Sequence, residues 1–256
     1  MLEIAGIGIT FGGLKALNDI SFTVEPGQVL SIIGPNGAGK TTLFNIITGF
    51  LKPSTGRVAY EGRDITGLAS NRIARRGIVR TFQKTEVFPE LSVLACVRIG
   101  FLCHRPFSVL DVVLRWRKTA DFTAETTRGA HQLLEFVGLA DKSDSKASGL
   151  SYGEQRLLEV AVGLAAEPRL ILLDEPASGM NIEESERMIA LIGRLRERGM
   201  TVLLVEHNMS VVMGISDRIV VLNYGQKIAD GGPDQIADDD EVISAYLGQG
   251  WKDAAA

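Results

Sequence analysis

The sequence predicts an α/β fold: a mixed, mostly parallel sheet, an antiparallel β unit at the N-terminus and an inserted α-helical segment. Three observations predict it. Apolar runs of strand length recur at 29–33, 170–173 and 200–205, and amphipathic stretches separate the last two, as in parallel strands covered on both faces. Near the start, apolar residues recur at Leu2, Ile4, Ile7, Ile9 and Phe11 with polar or small residues between them, as in a half-buried antiparallel strand. From about 89 to 148 the strand-like alternation gives way to helical spacing.

Each element follows from its local pattern. A second patterned run at 20–24 ends at the turn Pro26-Gly27 and completes the antiparallel unit. Residues 29–33 are an apolar run of strand length, and 42–48 continues as a helix beyond a glycine-rich turn. Lys52-Pro-Ser-Thr-Gly56 breaks the chain, 57–60 makes a short strand, and Glu61-Gly62 a turn. In the insertion, Leu133, Leu134, Phe136 and Val137, with Leu139 beyond, suit one buried helical face. Met188, Ile189, Leu191, Ile192 and Leu195 form an apolar stripe opposite Glu and Arg residues, and Gly199 ends that helix. Residues 218–223 and 226–230 read as a closing hairpin around Gly225, and 238–247 as a short terminal helix. The expected organisation is one domain over 1–256. Its core is 1–88 and 156–230, with a helical subdomain at 89–155 and a C-terminal helical tail at 231–256.

Composition narrows the function classes. The 256 residues are 45% hydrophobic and 23% charged, ordinary for a soluble globular protein. A net charge of −4 provides no strong field toward nucleic acid or an anionic membrane. Cys96 and Cys103 have no C-x-x-C spacing and read as reduced thiols. The N-terminus lacks a basic n-region and a small-residue cleavage site. The apolar stretch 91–103 is interrupted by Arg98 and is too short to span a bilayer. A cytosolic chain is expected, with any role at a membrane exerted through a partner.

Residues 34–41 read Gly34, Pro35, Asn36, Gly37, Ala38, Gly39, Lys40 and Thr41, the phosphate-loop pattern G-x-x-x-x-G-K-[ST], and Thr42 opens the helix behind them. A strand, a glycine-rich turn and a helix N-terminus make an anion cradle, because glycines let backbone N–H groups approach phosphate oxygens. Lys40 can reach the β- and γ-phosphates, and the Thr41 hydroxyl can ligate Mg²⁺. Leu170-Ile-Leu-Leu-Asp174 ends an apolar strand with a carboxylate suited to Mg²⁺, and Glu175 follows as a base for an attacking water. His207 comes after the next apolar strand, within reach of a γ-phosphate. His104 and His131 fall in the insertion and read as structural.

On these residues the chain resembles the nucleotide-binding subunit of an ATP-binding cassette (ABC) transporter, with a P-loop NTPase, RecA-like core. Leu150-Ser-Tyr-Gly-Glu-Gln155 is similar to the signature L-S-G-G-Q, Gln83 in Arg80-Thr-Phe-Gln83 to the Q-loop glutamine, and His207 to the switch histidine. Phe11 is similar to the adenine-stacking aromatic, and Ser178-Gly-Met-Asn181 stands where the D-loop lies. Within the family the likeness is to ATPase subunits of branched-chain amino acid importers. It is carried by Phe11-Gly-Gly-Leu-Lys-Ala-Leu, Arg80-Thr-Phe-Gln-Lys, the tyrosine-bearing signature, Glu206-His-Asn-Met, Val212-Met-Gly-Ile-Ser-Asp-Arg and Ala245-Tyr-Leu-Gly. The resemblance implies ATP and Mg²⁺ as ligands, with Thr41, Gln83 and Asp174 at the metal and Glu175, His207 and Gln83 in catalysis. It implies a homo- or heterodimer in which Ser151, Tyr152, Gly153, Glu154 and Gln155 face the ATP of the opposite subunit. It also implies membrane-spanning permeases, a solute-binding protein reached through them, no nucleic acid, and a peripheral location on the cytoplasmic face of a bacterial inner membrane.

Three residues depart from the family pattern: Tyr152 for the first signature glycine, Glu154 for the signature glutamine, and Asn181 for the D-loop aspartate. Arg72, Arg75, Arg76 and Arg80 read as a solvated helix face, with contact to a partner's loop as the alternative; Arg115, Arg117 and Lys118 around Trp116 could form a second docking patch. A urea or short-amide importer and a lipid or lipopolysaccharide exporter remain as other cargoes, and a soluble non-transport ABC ATPase as another class. An N-K-x-D guanine-reading element is absent, against a GTPase, and the signature argues against a kinase.

Overall fold

The computed structural model describes residues 1–81, 88–104 and 116–247. Strands β1 (Leu2–Phe11) and β2 (Leu14–Val24) form a hairpin. β4 (Thr55–Tyr60) joins the other edge of β1, and β5 (Arg63–Asp64) joins β4, all antiparallel. β2 begins well before the apolar pattern at Ile20. Its first half pairs with the end of β1 (Thr10↔Lys15, Phe11↔Leu14), where Leu14 and Lys15 both face solvent and register shifts break the two-residue alternation.

The second sheet runs β10–β9–β3–β8–β7–β6. It contains β3 (Val29–Ile33), β6 (Ile78–Arg80), β7 (Leu170–Asp174), β8 (Thr201–Val205), β9 (Arg218–Asn223) and β10 (Gln226–Gly231). Only β10 at the edge is antiparallel to its neighbour. Every residue of β3, β7 and β8 is buried, so each reads as an apolar run rather than an alternation. Along β7, Leu170 and Leu172 face one apolar cluster while Ile171 and Leu173 face another, the two-residue period of a strand. The first cluster joins the sheet to the antiparallel unit and to α1 (Lys40–Ile47), through Leu43, Phe44 and Ile47.

The second cluster lies under α3 (Val93–Gly100), α4 (Trp116–Val137), α5 (Tyr152–Ala165) and α6 (Ile182–Glu197). Leu134 and Val137 of α4 are buried in it, with Leu133 and Phe136 packed against it. Met188, Leu191, Ile192 and Leu195 are the buried stripe of α6, and Gly199 follows its end with φ 76°. The C-terminal region is more broken than its sequence suggests. α8 (Pro233–Ala237) precedes α9 (Asp240–Val242), which runs into a π-helical turn at Ile243–Leu247. Asp239 accepts from the amides of Glu241 and Val242 and so caps α9 instead of lying inside a helix.

The arginine cluster divides. α2 (Ser70–Ala74) carries Arg72, and Arg75 and Arg76 follow it, all exposed. Gly77, with φ 93°, stops the helix, and Arg80 lies in β6 beside β7, so the helix-face reading is corrected for Arg80. Arg115 lies outside the described residues, as do the side chains of Trp116, Arg117 and Lys118. Cys96 is buried and Cys103 half-buried, both free thiols. Among the described residues no helix is long and apolar enough to cross a membrane.

The register that positions the site is set in the second sheet. Ile32 and Asp174 both pair with Val205, so β3, β7 and β8 end together and the residues that follow emerge at one edge. α/β sheets bind ligands at such edges.

Candidate active site

Gly34 to Gly39 turn the chain from the end of β3 into α1. A Cβ on Gly34 would lie 2.0 Å from the carbonyl oxygen of Leu222, and Gly34 has φ 148°, so no other residue fits without moving β9. Gly39 caps α1 with φ 104°, and a Cβ there would meet Leu17 Cδ2 at 2.5 Å and the Ala16 carbonyl at 2.9 Å. The loop is thus wedged between the start of β2 and the end of β9. The turn between β9 and β10 braces it from outside: Gly225 N–H donates to Ala38 O at 3.1 Å, and Asn18 N–H to Gly225 O at 2.8 Å. Lys40 Nζ donates to Gly34 O at 2.6 Å and Pro35 O at 3.0 Å, folded back over the loop. Burial lowers the pKa of this ammonium, opposed by the fields of Glu175 and Asp174. Asn36, Gly37 and Thr41 are exposed, Pro35, Gly39 and Thr42 half-buried, and Ala38 buried. Phe11, at the tip of the β1–β2 hairpin, is 46% exposed.

Asp174 ends β7 with its side chain wholly buried. Its Oδ2 accepts from Arg80 at 2.6 Å, and Arg80 also donates to Asn45 Oδ1 at 2.6 Å and lies over the Phe44 ring. The other oxygen, Oδ1, is buried with no hydrogen-bond partner among the described residues. A buried carboxylate oxygen left without a partner in this way suits a cation ligand. Among the described residues no three His, Cys, Asp or Glu side chains gather as metal ligands. A cation here would therefore rest on Asp174, a hydroxyl such as that of Thr41, and oxygens brought by the substrate, the habit of Mg²⁺.

Glu175 follows with φ 50°, a left-handed conformation unusual for a side chain of its size, and its amide donates to Val205 O at 2.8 Å. That turn sends its carboxylate across to the next strand end, where Oε1 lies 2.6 Å from His207 Nε2. Glu206, between β8 and His207, is 2% exposed and accepts from backbone amides of both loops.

The segment 150–155 forms a separate centre at the N-terminus of α5. Ser151 caps the helix: its Oγ accepts from Glu154 N, and the Glu154 side chain accepts from Ser151 N at 2.9 Å, a capping box. Lys142 pairs with Glu154, and together with the capping bond it outweighs burial to hold the Glu154 carboxyl below its ordinary range. Tyr152 folds onto its own helix. Its hydroxyl accepts from Arg156 Nε and Nη2 at 3.1 and 2.9 Å, and its ring covers Gly179, where a Cβ would lie 3.2 Å from Cε1. Gly153 is covered by Glu184, whose Oε1 accepts from Ser151 Oγ at 3.3 Å. Gln155 Nε2 donates to Leu150 O at 3.1 Å. Asn181 caps α6 in a second capping box with Glu184, so Asn in place of Asp keeps the cap.

The fold gathers Lys40 with Asp174, Glu175 and His207, and keeps Ser151 to Gln155 among their own neighbours on α5 and α6. Gln83 lies outside the described residues. Sequence reasoning gave no role in the site to Arg80, Glu206, Glu184 or Gly225, although Glu206 stood in Glu206-His-Asn-Met and Gly225 at the hairpin turn. Arg80 stood in the Arg80-Thr-Phe-Gln83 stretch but was grouped with the arginines of α2. The spacing of Asn181 and Glu184, a capping-box pattern, was available to find Glu184.

A sequence profile of ABC transporters matches residues 17–178, and one of branched-chain amino acid ATP-binding cassette transporters matches residues 226–252. The chain is 44% identical to the high-affinity branched-chain amino acid transport ATP-binding protein BraF of Pseudomonas aeruginosa, over 97% of this chain and 98% of that one. It is 40% identical to LivG of Escherichia coli, which carries the same description, over the same shares. A crystal structure of an ABC transporter's ATP-binding cassette in its ADP conformation superposes with a TM-score of 0.84 at 34% identity, covering 97% of this chain and 99% of that one.

Proposed function

Since this chain belongs to the ABC transporter ATP-binding family, we propose that it is the ATP-hydrolysing subunit of an importer for branched-chain amino acids. One observation carries the chemistry: the phosphate loop with Lys40, the half-paired Asp174, and the Glu175–His207 contact at 2.6 Å meet at the aligned ends of β3, β7 and β8. The match of residues 226–252 to the branched-chain profile supports the cargo.

The loop amides and Lys40 bind the phosphates of ATP, and Phe11 stacks on the base. Thr41, Asp174 and Gln83 would hold Mg²⁺, which supplies charge neutralisation on the β- and γ-phosphates. Glu175 orients a water and accepts its proton as the water oxygen attacks the γ-phosphorus. The bond from that phosphorus to the β-phosphate oxygen breaks, releasing ADP and phosphate. His207, bonded to Glu175, orients the carboxylate and reaches the γ-phosphate.

A second ATPase subunit, identical or paralogous, completes each site. Ser151 and the N-terminus of α5 face the nucleotide on the opposite subunit, where the helix dipole suits an anion. ATP stabilises the closed pair, and its hydrolysis removes that preference. Membrane-spanning permeases on the inner membrane take up the motion, and a solute-binding protein delivers the cargo to them.

The test is purification of the chain with the permeases that accompany it, followed by Mg²⁺-dependent ATP turnover. Leucine, isoleucine or valine with the cognate binding protein should raise turnover several-fold. Stimulation by urea, a short amide or a lipid instead would overturn the cargo, and co-purification with nucleic acid in place of permeases would overturn the transport reading.

A further inference from the structure

We propose that Glu206 is a positioning residue that ties the loop after β7 to the loop after β8, and so holds Glu175 and His207 in register for hydrolysis. The inference rests on the ATPase reading above and deepens it. Glu206 Oε1 accepts from Ala177 N at 2.8 Å, and Oε2 accepts from His207 N at 3.0 Å and Asn208 N at 3.4 Å. Both carboxyl oxygens accept, and all three partners are backbone N–H donors. Ala177 belongs to the turn that begins at Glu175, in which Ser178 N donates to Glu175 O at 3.1 Å. Asn208 caps α7 (Met209–Ile215), so its end of the link is also fixed. One carboxylate thus spans the backbones of both loops, and a shift of either is passed to the other.

Burial by itself disfavours a charged carboxylate at this position. Burial pushes the Glu206 carboxyl above the ordinary range, and the field of Glu175 adds to this, against the three amide bonds. A raised carboxyl favours the fold below its unfolded value and loses that advantage as pH rises through its folded value. The ionised form is thus less favoured in the folded chain than in the unfolded one. Glutamine has the same shape but one acceptor and one amino group. In Glu206→Gln that amino group must face either Ala177 N–H or the His207 and Asn208 N–H pair, so one link opens.

The experiment uses the full-length chain as parent, Glu206→Gln and Glu206→Asp. It reads kcat and KM for Mg²⁺-ATP, thermal midpoint, and the imidazole NMR signal of His207. Loss of that signal in His207→Ala assigns it among the 3 histidines. The expected result for Glu206→Gln is a kcat lower by about tenfold or more, KM within about twofold, an undiminished midpoint and a moved His207 signal. Glu206→Asp, which keeps two acceptor oxygens, should recover part of kcat, and it carries the same reading if the Gln variant does not fold. A parent-like kcat, an unmoved His207 signal, or a loss of rate that follows KM or the midpoint would overturn the proposal. If the parent itself does not hydrolyse ATP, the proposed function fails. The His207 signal then decides the linkage alone: moved in its favour, unmoved against it.

Discussion

Asp174 and Arg80 set the energetics of the site at the scale of single residues. Both side chains are at most 7% exposed, and they meet at 2.6 Å. Removing one partner of such a pair leaves the other charge buried, which typically costs about 3–5 kcal/mol. Arg80→Ala is therefore expected to lower unfolding stability by about that amount in urea titration, whereas removal of the exposed Arg75 should change it by less than about 0.5 kcal/mol. Equal small effects would contradict the pairing. Gly34 is the second decisive residue. Gly34→Ala drives a methyl into the Leu222 carbonyl, and isothermal titration should find ATP binding weakened about a hundredfold or more. Parent-like affinity would mean that the loop has room the geometry denies.

Among the elements, α5 couples the signature to the rest of the fold. Ser151→Ala removes its cap and should cost about 1 kcal/mol of stability, readable as a lower denaturant midpoint. Tyr152→Phe keeps the ring over Gly179 but takes away one of the acceptors for Arg156. Much of the element order was legible. β3, β7 and β8 are buried on both faces and so appear as mostly apolar runs, and α6 shows its stripe because only one face is covered. What was hidden had no clean period to read. In the first half of β2 the apolar Leu14 is exposed and register shifts break the alternation, and β5 and β6 are too short for a pattern. Lys40, Asp174, Glu175 and His207 were legible because phosphate chemistry fixes their types and spacing. Arg80 and Glu206 were not, because each acts through a partner distant in sequence: Asp174 for Arg80, and Ala177 for Glu206.

At the scale of the molecule, the β9–β10 hairpin ties the edge of the sheet to the phosphate loop, and Asp230 fastens that hairpin. Burial pushes its carboxyl up, but Arg218 and Lys227 outweigh burial and hold it below the ordinary 3.8. A depressed carboxyl contributes stability above its unfolded value, and that contribution is lost as pH falls through its folded value. Stability should therefore drop below about pH 4 more steeply in the parent than in Asp230→Asn, which lacks this titration. Identical acid profiles would contradict the role given to Asp230. The chemistry proposed for this protein centres on the edge where β3, β7 and β8 end, with Glu175 proposed as the base for ATP hydrolysis there. Turnover by Glu175→Gln, beside its nucleotide affinity, tests this most directly. The account predicts ATP binding within a few-fold of the parent and a rate lower by about a hundredfold or more; a Glu175→Gln chain that turns over ATP as fast as the parent would contradict it.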